Sequence, residues 1–577
     1  MASVITRASG KIGFSRPTRR VTFQIVLVLI LIGGFVVAAW PDLLSNTNSM
    51  RTDQSDFLKL GQDIRAGTRW TDGNRHPFLP LILSSFAGPD WSYFSNAKLL
   101  NLGLAVVLLL SLVTLLGRLF GFGTGILAAA LVALNPDFQR TVVRVVAEPL
   151  LSIWFFLFFY FWYRGAAESA EHTGTMRTRM LALSGVMAGL GYLTKGTAQL
   201  LPVCFTFWWI IAGKWRRDRL SLIIFLVAYL VTTSPLLIYN ASRWNNPFYN
   251  FSAEAMWADQ WLDVSQDLPR ARSVGEYLAT HSISELVTRF MNGGMELLHR
   301  HGDMFLPTYS VAILAAAATA FVGRFCIACI QGRGLNGQIR GRVSATWSGF
   351  RSGWSQLSIV PAVLLPWLVF FAWYVPISNS PRHHVPLLSL ITSVVSLLIW
   401  HLSIRVVGIA YHSMLVLGIS VLVLCLIGYS VVSSLNELSL KFPNWDVYER
   451  DRQENRGVDK LLLALQNSNP HATVLNDELI PPWHIGITSL NLRSIPRGCR
   501  SLEDLSQAII RAKADYLIVS PADVRPRPCL QQVVQVENDR DLNIVREMPH
   551  MRLIATFRLG RDEIMVFERQ QTLDRER

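Results

Sequence analysis

Long apolar segments recur along most of this chain, and they constrain its fold more than any other feature. Residues 21–40 read "VTFQIVLVLILIGGFVVAAW", which is long enough to cross the hydrocarbon core of a bilayer as one helix. Backbone amides inside a bilayer must be paired within the segment, so repeated segments of this kind predict a bundle of membrane helices. Only 16% of the 577 residues are charged, whereas soluble domains contain about 25%. We therefore expect a mostly α-helical, polytopic membrane protein.

The distribution of charge predicts how the chain threads through the membrane. The eleven candidate spans are residues 21–40, 98–116, 121–135, 149–163, 181–194, 198–213, 220–239, 305–325, 358–378, 384–400 and 406–432. With the amino terminus in the cytoplasm, the inner segments carry 19 basic and 3 acidic residues. The outer loops 41–97, 135–148 and 241–304 carry 12 basic and 16 acidic residues, as the positive-inside rule requires. The net charge of +14 is therefore mostly topological, and we do not expect nucleic acid as a partner.

The chain divides into three predicted parts. Residues 1–20 form a basic cytoplasmic tail, residues 21–436 form the membrane domain, and residues 437–577 form a small soluble α/β domain. In the last part, "ATVLND", "ADYLIVS", "MRLIATFRLG" and "EIMVFER" predict strands, and residues 501–513 predict a helix. An odd number of spans places this domain outside the cytoplasm, where Cys499 and Cys529 could form a disulfide.

The first outer loop contains two carboxylates close to the membrane, Asp53 and Asp56. A short amphipathic helix lying on the membrane surface is predicted from apolar residues at helical spacing: Phe57, Leu60, Gly61 and Ile64. Asp53 precedes this helix and Asp56 lies in its first turn, where the helix dipole favours acidic groups. The two residues can therefore be capping or surface charges, or they can be catalytic carboxylates.

Basic residues also occur at predicted outer ends of spans, where the charge bias of membrane proteins does not favour them. Lys195 ends the fifth span in "GLGYLTKG", Arg382 precedes the tenth span beside His383, and Arg144 precedes the fourth span, which begins near Glu148. Ionisable groups at this depth are costly and usually serve a function. A group of cations suits an anionic lipid headgroup such as a phosphate or pyrophosphate. The alternative is snorkelling at the interface or pairing with Glu148 and the loop aspartates.

Five segments in this order resemble the GT-C membrane glycosyltransferases that take a sugar from a polyprenyl phosphate. That group includes protein O-mannosyltransferases and the aminoarabinose transferases of lipid A. The segments are "DQSDFLKLGQDIRAG…HPFLPLIL", "AEPLL", "GVMAGLGYLTKG", "NNPFYNF" and "PRHHVPLL". The resemblance implies sugar transfer from a polyprenyl-phosphate donor at the outer face of the membrane. It also implies a bacterial plasma membrane protein, because the outer carboxyl-terminal domain looks like that of the bacterial members.

The resemblance further implies roles for individual residues. An acidic residue near the start of the first loop acts on the acceptor as a base or orients it, and Asp53 occupies that position. Gln54 stands where the family often has Glu, so Asp56 would have to supply any second catalytic carboxylate. The family's His-Pro-Pro turn is here His76-Pro77-Phe78. The expected donor-phosphate ligands are Lys195, Arg382 and Arg144, and the other site candidates are His76, Glu148 and His383.

The sequence leaves the metal, the sugar and the acceptor open. Asp53, Asp56, His76 and the His383-His384 pair could bind a divalent metal, but no spacing is diagnostic and a single-carboxylate mechanism needs none. No cofactor is therefore assigned, and a protein, a lipid or a polysaccharide would serve as acceptor. A transporter or flippase of a lipid-linked sugar is the alternative function, and a non-catalytic envelope scaffold is a third. A transporter often has repeat symmetry and polar residues near mid-membrane, and the sequence shows neither.

Overall fold

The structure of the chain is a computed structural model. It describes residues 17–46, 53–166, 174–214, 218–260, 271, 273–299, 359–378, 380–407, 428, 432, 460–476, 490–495, 499–525, 527–538, 541–559 and 562–570. Within these residues the chain is mostly helical, as predicted, and a small amount of β-sheet lies near the carboxyl terminus.

The helices before the carboxyl-terminal part include long apolar ones and short ones in the connecting loops. They are α1 (Pro17–Ser45), α2 (Gln54–Arg65), α3 (Phe78–Ser84), α4 (Trp91–Ser111), α5 (Phe122–Ala133), α6 (Pro136–Val142), α7 (Glu148–Ala166), α8 (Gly174–Thr194), α9 (Leu200–Ile211), α10 (Arg219–Trp244), α11 (Phe251–Ala255), α12 (Val274–Thr280), α13 (283–299), α14 (Ile359–Tyr374) and α15 (Val385–Val407). Helix α4 continues through a π-helical turn, Leu112–Leu116, and a last turn, Gly117–Phe120. Short 3-10 turns, Gly196–Gln199 and Pro381–His384, precede α9 and α15.

Three described helices are long and apolar enough to cross a membrane on their own: Val21–Ser45, Trp91–Phe120 and Arg219–Trp244. The shorter apolar helices Phe122–Ala133, Gly196–Ile211 and Ile359–Tyr374 lie where further spans are predicted, and so do α7, α8 and α15. The predicted span 305–325 and most of 406–432 lie outside the described residues. The total of eleven spans therefore stays a prediction.

Helix α8 lies between α7 and α10 and packs closely against both. A Cβ atom at Gly185 would collide with the Phe225 carbonyl oxygen, and one at Gly189 would lie 2.6 Å from the Thr232 Cβ. The small residues therefore allow the α8 and α10 backbones to approach, as in many membrane helix pairs. Because α7 and α8 run in opposite directions, the first residue of α7 and the residue after α8 lie at the same end of the bundle.

The predicted amphipathic helix of the first loop exists as α2, but its apolar face contacts protein. Phe57 and Leu60 are buried, and Phe57 belongs to a cluster formed with α3 and α4. Gly61 faces the Tyr93 hydroxyl without room for a Cβ atom. The expectation that this face lies on membrane lipid is wrong, because helical spacing defines an apolar face but not what covers it.

The carboxyl-terminal part contains a mixed five-stranded sheet in the order β2-β1-β3-β7-β6 and a separate β4–β5 hairpin. The strands are β1 (Thr473–Asn476), β2 (Asn491–Ser494), β3 (Tyr516–Val519), β4 (Val534–Glu537), β5 (Asp541–Ile544), β6 (Met551–Leu559) and β7 (Asp562–Arg569). The helices are α16 (460–468), α17 (Leu502–Ala512), α18 (Pro521–Val524) and α19 (Pro528–Gln531). Strands β2, β1 and β3 are parallel, whereas β7 is antiparallel to β3 and β6.

The predicted elements of this part are all present, namely four strands and the helix α17. This helix begins with a capping box in which the Ser501 and Asp504 side chains each accept a hydrogen bond from a backbone amide. Strands β2, β4 and β5 were not predicted, because strands of four residues are too short to show a clear alternation. Cys499 and Cys529 form a disulfide with a Cα–Cα distance of 5.5 Å.

Candidate active site

Asp53 lies at the start of α2 and links the first long loop, residues 46–90, to the segment before α15. It occupies the N-cap position, yet its side chain makes no capping hydrogen bond. Its Oδ1 accepts a hydrogen bond from Arg75 Nη2 at 2.9 Å, and its Oδ2 accepts one from Arg382 Nη2 at 2.7 Å. The carboxylate therefore joins two arginines that are far apart in the sequence, and the helix-capping interpretation of Asp53 does not hold.

Arg75 is the charged centre of the first long loop, and it is not among the site residues predicted from the sequence. Its Nη2 also contacts Asp56 Oδ2 at 2.6 Å, and its Nη1 contacts Asp72 Oδ2 at 2.9 Å. The Asp72 Oδ1 atom in turn accepts hydrogen bonds from the backbone amides of Asn74 and Arg75. One guanidinium thus holds three carboxylates, and a tight turn fixes the guanidinium. The only sequence signal for this role was the position of Arg75 directly before His76.

The second half of the site lies where α7, α8 and α15 begin or end. Glu148, the first residue of α7, is buried, and its Oε1 accepts a hydrogen bond from Lys195 Nζ at 2.5 Å. Arg382 Nε lies 3.9 Å from the same oxygen. Lys195 Nζ is also 3.3 Å from His383 Nδ1, and His383 Nε2 is 2.8 Å from the Ser378 hydroxyl. Because an ammonium can only donate, His383 receives this hydrogen bond through Nδ1.

The two halves form one continuous group of charges. Arg382 bridges them, since it contacts Asp53 on one side and Glu148 on the other. The structure therefore brings together Asp53, Asp56, Glu148, Lys195, Arg382 and His383, and it adds Arg75 and Asp72. The pairing of cations with Glu148 and the loop aspartates, one of the alternatives from the sequence, is present. Despite this pairing the side chains are partly exposed to solvent: 33% of the Asp53 side-chain surface, 22% of that of Arg382 and 23% of that of Lys195 are accessible.

The surroundings move the pKa values of the two loop aspartates in opposite directions. Burial alone would raise the pKa of Asp53, but Arg382, Arg75 and Lys195 outweigh burial and lower it to about 2. For Asp56, burial raises the pKa to about 6, with Asp53 and Asp72 adding to the rise and Arg75 opposing it. Asp53 is therefore a weak base, whereas Asp56 is a stronger base that is still mostly ionised at neutral pH.

The histidine beside Lys195 is neutral. Burial lowers the pKa of His383 well below its usual value, and Lys195, Arg382 and His384 lower it further. For Arg382, burial acts to lower the pKa, but Glu148 and Asp53 raise it overall. The positive charge near Glu148 is therefore carried by Lys195 and Arg382.

His76 lies beside this group, and its described contacts are with other residues. It is buried, its Nε2 accepts a hydrogen bond from Asn250 Nδ2 at 2.9 Å, and its ring meets Tyr192 edge to face at 4.8 Å. Burial lowers the pKa of His76 to about 4, so the ring is neutral. A Cβ atom at Gly196 would lie 3.1 Å from His76 Nε2. His76 therefore supports the turn that follows Lys195.

The segment after α10 closes over the first long loop and was only partly anticipated by the "NNPFYNF" motif. The Phe251 amide donates to the Gly73 carbonyl at 2.9 Å, and the Ser252 hydroxyl donates to Asn74 Oδ1 at 2.5 Å. Gly73 has a φ of +87°, and a Cβ atom there would lie 2.8 Å from the Tyr249 ring. Glycine is favoured at this position because it adopts positive φ freely and leaves room for the ring.

The described contacts of Gln54 and Arg144 lie outside the charged group. Gln54 is fully buried and points away from the charged group, and its Oε1 accepts hydrogen bonds from Asn46 Nδ2 at 3.0 Å and the Val145 amide at 2.9 Å. The residue that replaces the family's Glu is thus a link between α2 and the segment before α7. The described contacts of Arg144 are made by its main chain, whose carbonyl accepts from Asn101 Nδ2 at 2.5 Å. They do not place its guanidinium in the charged group, and its phosphate-binding role stays a prediction.

In the part of the chain that the structure describes, no group of three or more His, Cys, Asp or Glu side chains is arranged to hold a metal ion. The carboxylates of the site are instead compensated by Arg75, Arg382 and Lys195.

Comparisons with known proteins concern the fold and one segment of the chain. A family model described as dolichyl-phosphate-mannose-protein mannosyltransferase matches residues 95–239. The fold is similar to that of ArnT from Cupriavidus metallidurans, solved bound to undecaprenyl phosphate, with a TM-score of 0.52 and 12% identity over 96% of this chain and 98% of that chain. The oligosaccharyltransferase of Archaeoglobus fulgidus in its apo form aligns with a TM-score of 0.47 and 12% identity over 87% of this chain and 72% of that chain. No curated protein sequence matches the chain.

The family model covers the chain from α4 to α10, and this segment includes both Glu148 and Lys195. The similarity to ArnT extends over nearly the full length and therefore concerns the whole fold. The chain therefore has a fold similar to that of ArnT, and its segment 95–239 matches the dolichyl-phosphate-mannose-protein mannosyltransferase family model.

Proposed function

We propose that this protein transfers a glycosyl group from a polyprenyl-phosphate donor to an acceptor at the outer face of a bacterial plasma membrane. The observation that carries the proposal is the continuous charged group at one end of the bundle. In it, Lys195 and Arg382 both contact Glu148, and Arg382 also contacts Asp53. Cations and carboxylates within one partly exposed site are the two kinds of group that this reaction needs.

The chemistry follows from the charges that develop during transfer. The acceptor oxygen or nitrogen attacks the anomeric carbon, the bond from this carbon to the phosphate oxygen breaks, and the phosphate keeps the electron pair. Lys195 and Arg382 would stabilise the negative charge on the departing phosphate. A loop carboxylate would take the proton that the acceptor loses. Each proton, electron pair and leaving group is then accounted for without a further reactant.

Two observations support an outer location. The site lies at the ends of α7, α8 and α15 that the positive-inside rule assigns to the outside. The Cys499–Cys529 disulfide is typical of an oxidising compartment such as the periplasm. We accordingly propose a cytoplasmic amino terminus and an extracytoplasmic carboxyl-terminal domain.

The direct test is sugar transfer by the purified full chain in detergent. Radiolabelled undecaprenyl-phosphate mannose and undecaprenyl-phosphate aminoarabinose serve as donors, and membranes from a host strain lacking this protein supply acceptors. We expect label from one donor to become covalently attached to a membrane component. Movement of the intact donor across reconstituted vesicles without transfer would support the flippase alternative instead. If label is neither transferred nor moved, the glycosyltransferase proposal is wrong.

Replacing Arg382 tests the role of its charge without leaving a carboxylate of the site unpaired. In Arg382→Ala, Asp53 keeps Arg75 and Glu148 keeps Lys195, so each carboxylate retains a cation. We expect kcat/KM for the donor to fall on the order of a hundredfold, since a group that stabilises developing charge is lost. Arg382→Lys should lie between the variant and the wild type.

Arg140→Ala is the matched control, because Arg140 is exposed and its described partner is Asp137, outside the charged group. Its donor kinetics should equal those of the wild type. Unchanged donor saturation in Arg382→Ala would contradict the assignment of Arg382 to the donor phosphate.

A further inference from the structure

We infer that Asp56, rather than Asp53, is the carboxylate that takes the proton from the acceptor, and that Arg75 is the positioning residue that holds it. The inference rests on the proposed glycosyl transfer and names the base within that same site. It differs from the role that the family resemblance gives to the residue at position 53.

Both carboxylate oxygens of Asp53 are held by arginines. Its Oδ1 is bound by Arg75 and its Oδ2 by Arg382, at 2.9 and 2.7 Å. Hydrogen bonds to charged donors are the strong ones, so protonating Asp53 would weaken two of them at once. Asp53 is therefore suited to orient the two arginines, not to act as a base.

Asp56 has one oxygen available. Its Oδ2 contacts Arg75 Nη2 at 2.6 Å, while no described residue makes a hydrogen bond or an ion pair with its Oδ1. About a quarter of the side chain is exposed, 24%, so an acceptor hydroxyl or amine can reach it and the proton can afterwards leave to solvent. Its pKa of about 6, set first by burial and then by the neighbouring aspartates, gives it the base strength that Asp53 lacks.

Arg75 determines where the free oxygen of Asp56 points. The backbone amides of Asn74 and Arg75 donate hydrogen bonds to the Asp72 carboxylate, which in turn binds Nη1 of Arg75. Nη2 of Arg75 then contacts both Asp53 and Asp56. This chain of contacts connects the base to Arg382 through Asp53. A base and a phosphate-binding cation are thereby held in one rigid arrangement, which is the geometric condition for reaction.

In the proposed step, the acceptor proton moves to Asp56 Oδ1 as the acceptor atom bonds to the anomeric carbon. The bond between this carbon and the phosphate oxygen breaks, and its electron pair stays with the phosphate beside Lys195 and Arg382. Asp56 then loses the proton to water.

The experiment compares the pH profiles of transfer by the full chain in detergent, with the two labelled donors named above. We expect the wild-type rate to rise with pH through about 6, as Asp56 ionises. Asp56→Asn should lower kcat by on the order of 10²–10⁴-fold, the usual contribution of a general base, with the donor KM little changed. The residual transfer rate of Asp56→Asn should not increase with pH near 6. Asp56→Glu should recover part of kcat, and its rate should again increase with pH.

Asp53→Asn should also be slower, because Arg382 loses a partner. Its rate should still rise with pH, but at a lower pH, because the charge of Asp53 no longer raises the pKa of Asp56. Arg75→Lys should lower kcat and shift the pH of the rise, an effect that loss of folding alone would not produce. Asp90→Asn is the control for removing an exposed carboxylate from the same loop, and it should match the wild type.

The outcomes separate this inference from the proposed function. If the wild type transfers sugar and Asp56→Asn keeps its rate, the assignment of Asp56 is overturned while the glycosyltransferase proposal stands. The same holds if Asp53→Asn, and not Asp56→Asn, loses the rise with pH. If the wild type transfers sugar from neither donor, the proposed function fails, and the inference fails with it.

Discussion

Asp53 and Asp56 lie one helical turn apart, yet their surroundings act on their charges in opposite directions. Asp53 is placed between two arginines and its pKa falls to about 2. Asp56 shares one of these arginines with two other carboxylates, and its pKa rises to about 6. The difference follows from the number of cations per carboxylate, which the sequence does not show because the cations come from distant segments.

The opposite shifts predict opposite effects on stability. The ionised form of Asp53 is favoured by the fold, so its contribution to stability is present above its unfolded pKa and is lost as the pH falls toward 2. The raised pKa of Asp56 has the reverse sign, since its contribution is present at low pH and is lost as the pH rises through 6. At pH 7.5 we therefore expect Asp53→Asn to lower the thermal midpoint and Asp56→Asn to raise it, each by on the order of 1–3 °C.

Thermal unfolding in detergent at pH 7.5 and pH 5 measures both effects. The increase in thermal midpoint caused by Asp56→Asn should be smaller at pH 5, because the wild-type Asp56 side chain is mostly protonated there. Asp90→Asn is again the control and should leave the midpoint unchanged. Shifts of the same sign for Asp53→Asn and Asp56→Asn would contradict the charge arrangement described above.

The sequence could propose most members of the site and a general pairing of its cations with Glu148 and the loop aspartates, but not which side chains meet. Lys195, Arg382 and Glu148 were singled out because ionisable groups are unusual at the ends of apolar segments, and the structure brings them together. Arg75 was not distinguished, since it is one of several arginines in a polar loop and nothing in its spacing indicates three carboxylate partners. Gln54 illustrates the converse, because its place beside Asp53 suggested chemistry while its side chain links two backbone segments.

At the level of elements, the pattern of apolar residues predicted where helices lie better than what they contact. Helix α2 begins directly after Asp53, as predicted, yet its apolar face is covered by α3 and α4. A surface helix facing lipid and one facing protein have the same 3.6-residue period. The distinguishing feature is Gly61, which permits close contact with Tyr93, and this need for a small residue appears only once the partner is known.

The contact between Gly61 and Tyr93 can be tested by a double-mutant cycle. Gly61→Ala should lower the free energy of unfolding by about 1–3 kcal/mol, because the new Cβ collides with the Tyr93 hydroxyl and overpacks the interface. Tyr93→Phe alone should cost about 1 kcal/mol, since the hydroxyl donates to the Leu58 carbonyl at 2.9 Å. In the double variant the clash is relieved, and we expect less destabilisation than the sum of the single changes.

Denaturant or thermal unfolding of the three variants in one detergent gives the coupling energy. Gly67→Ala in the same loop is not a suitable control, because Gly67 has a φ of +69° and would be strained by any side chain. Gly103→Ala in α4 is suitable, since no atom lies within 4 Å of its added Cβ. Strict additivity of the Gly61 and Tyr93 changes would show that α2 does not pack on α4 as described.

For the whole molecule, the order of charges along the chain and the position of the site support each other. Glu148 starts α7, Lys195 follows α8 and Arg382 precedes α15, so the three residues can meet only if these helices alternate in direction as the predicted threading requires. Their contacts are therefore consistent with the threading between residues 148 and 385. The side of the membrane on which they lie is inferred from the positive-inside rule and from the Cys499–Cys529 disulfide.

Labelling of single cysteines in intact cells tests which side this is. Asp90 lies at the end of the first long loop, directly before α4, and Arg179 lies near the start of α8, at the end away from Lys195. Both side chains are exposed. The background for both variants, Asp90→Cys and Arg179→Cys, has every cysteine except Cys499 and Cys529 replaced by serine. We expect a membrane-impermeant maleimide to label residue 90 in intact spheroplasts and residue 179 only after the membrane is opened. Each variant should retain sugar transfer, which confirms that the labelled protein is correctly inserted. The reverse labelling pattern would place the charged group on the cytoplasmic side and would contradict the proposed transfer at the outer face of the membrane.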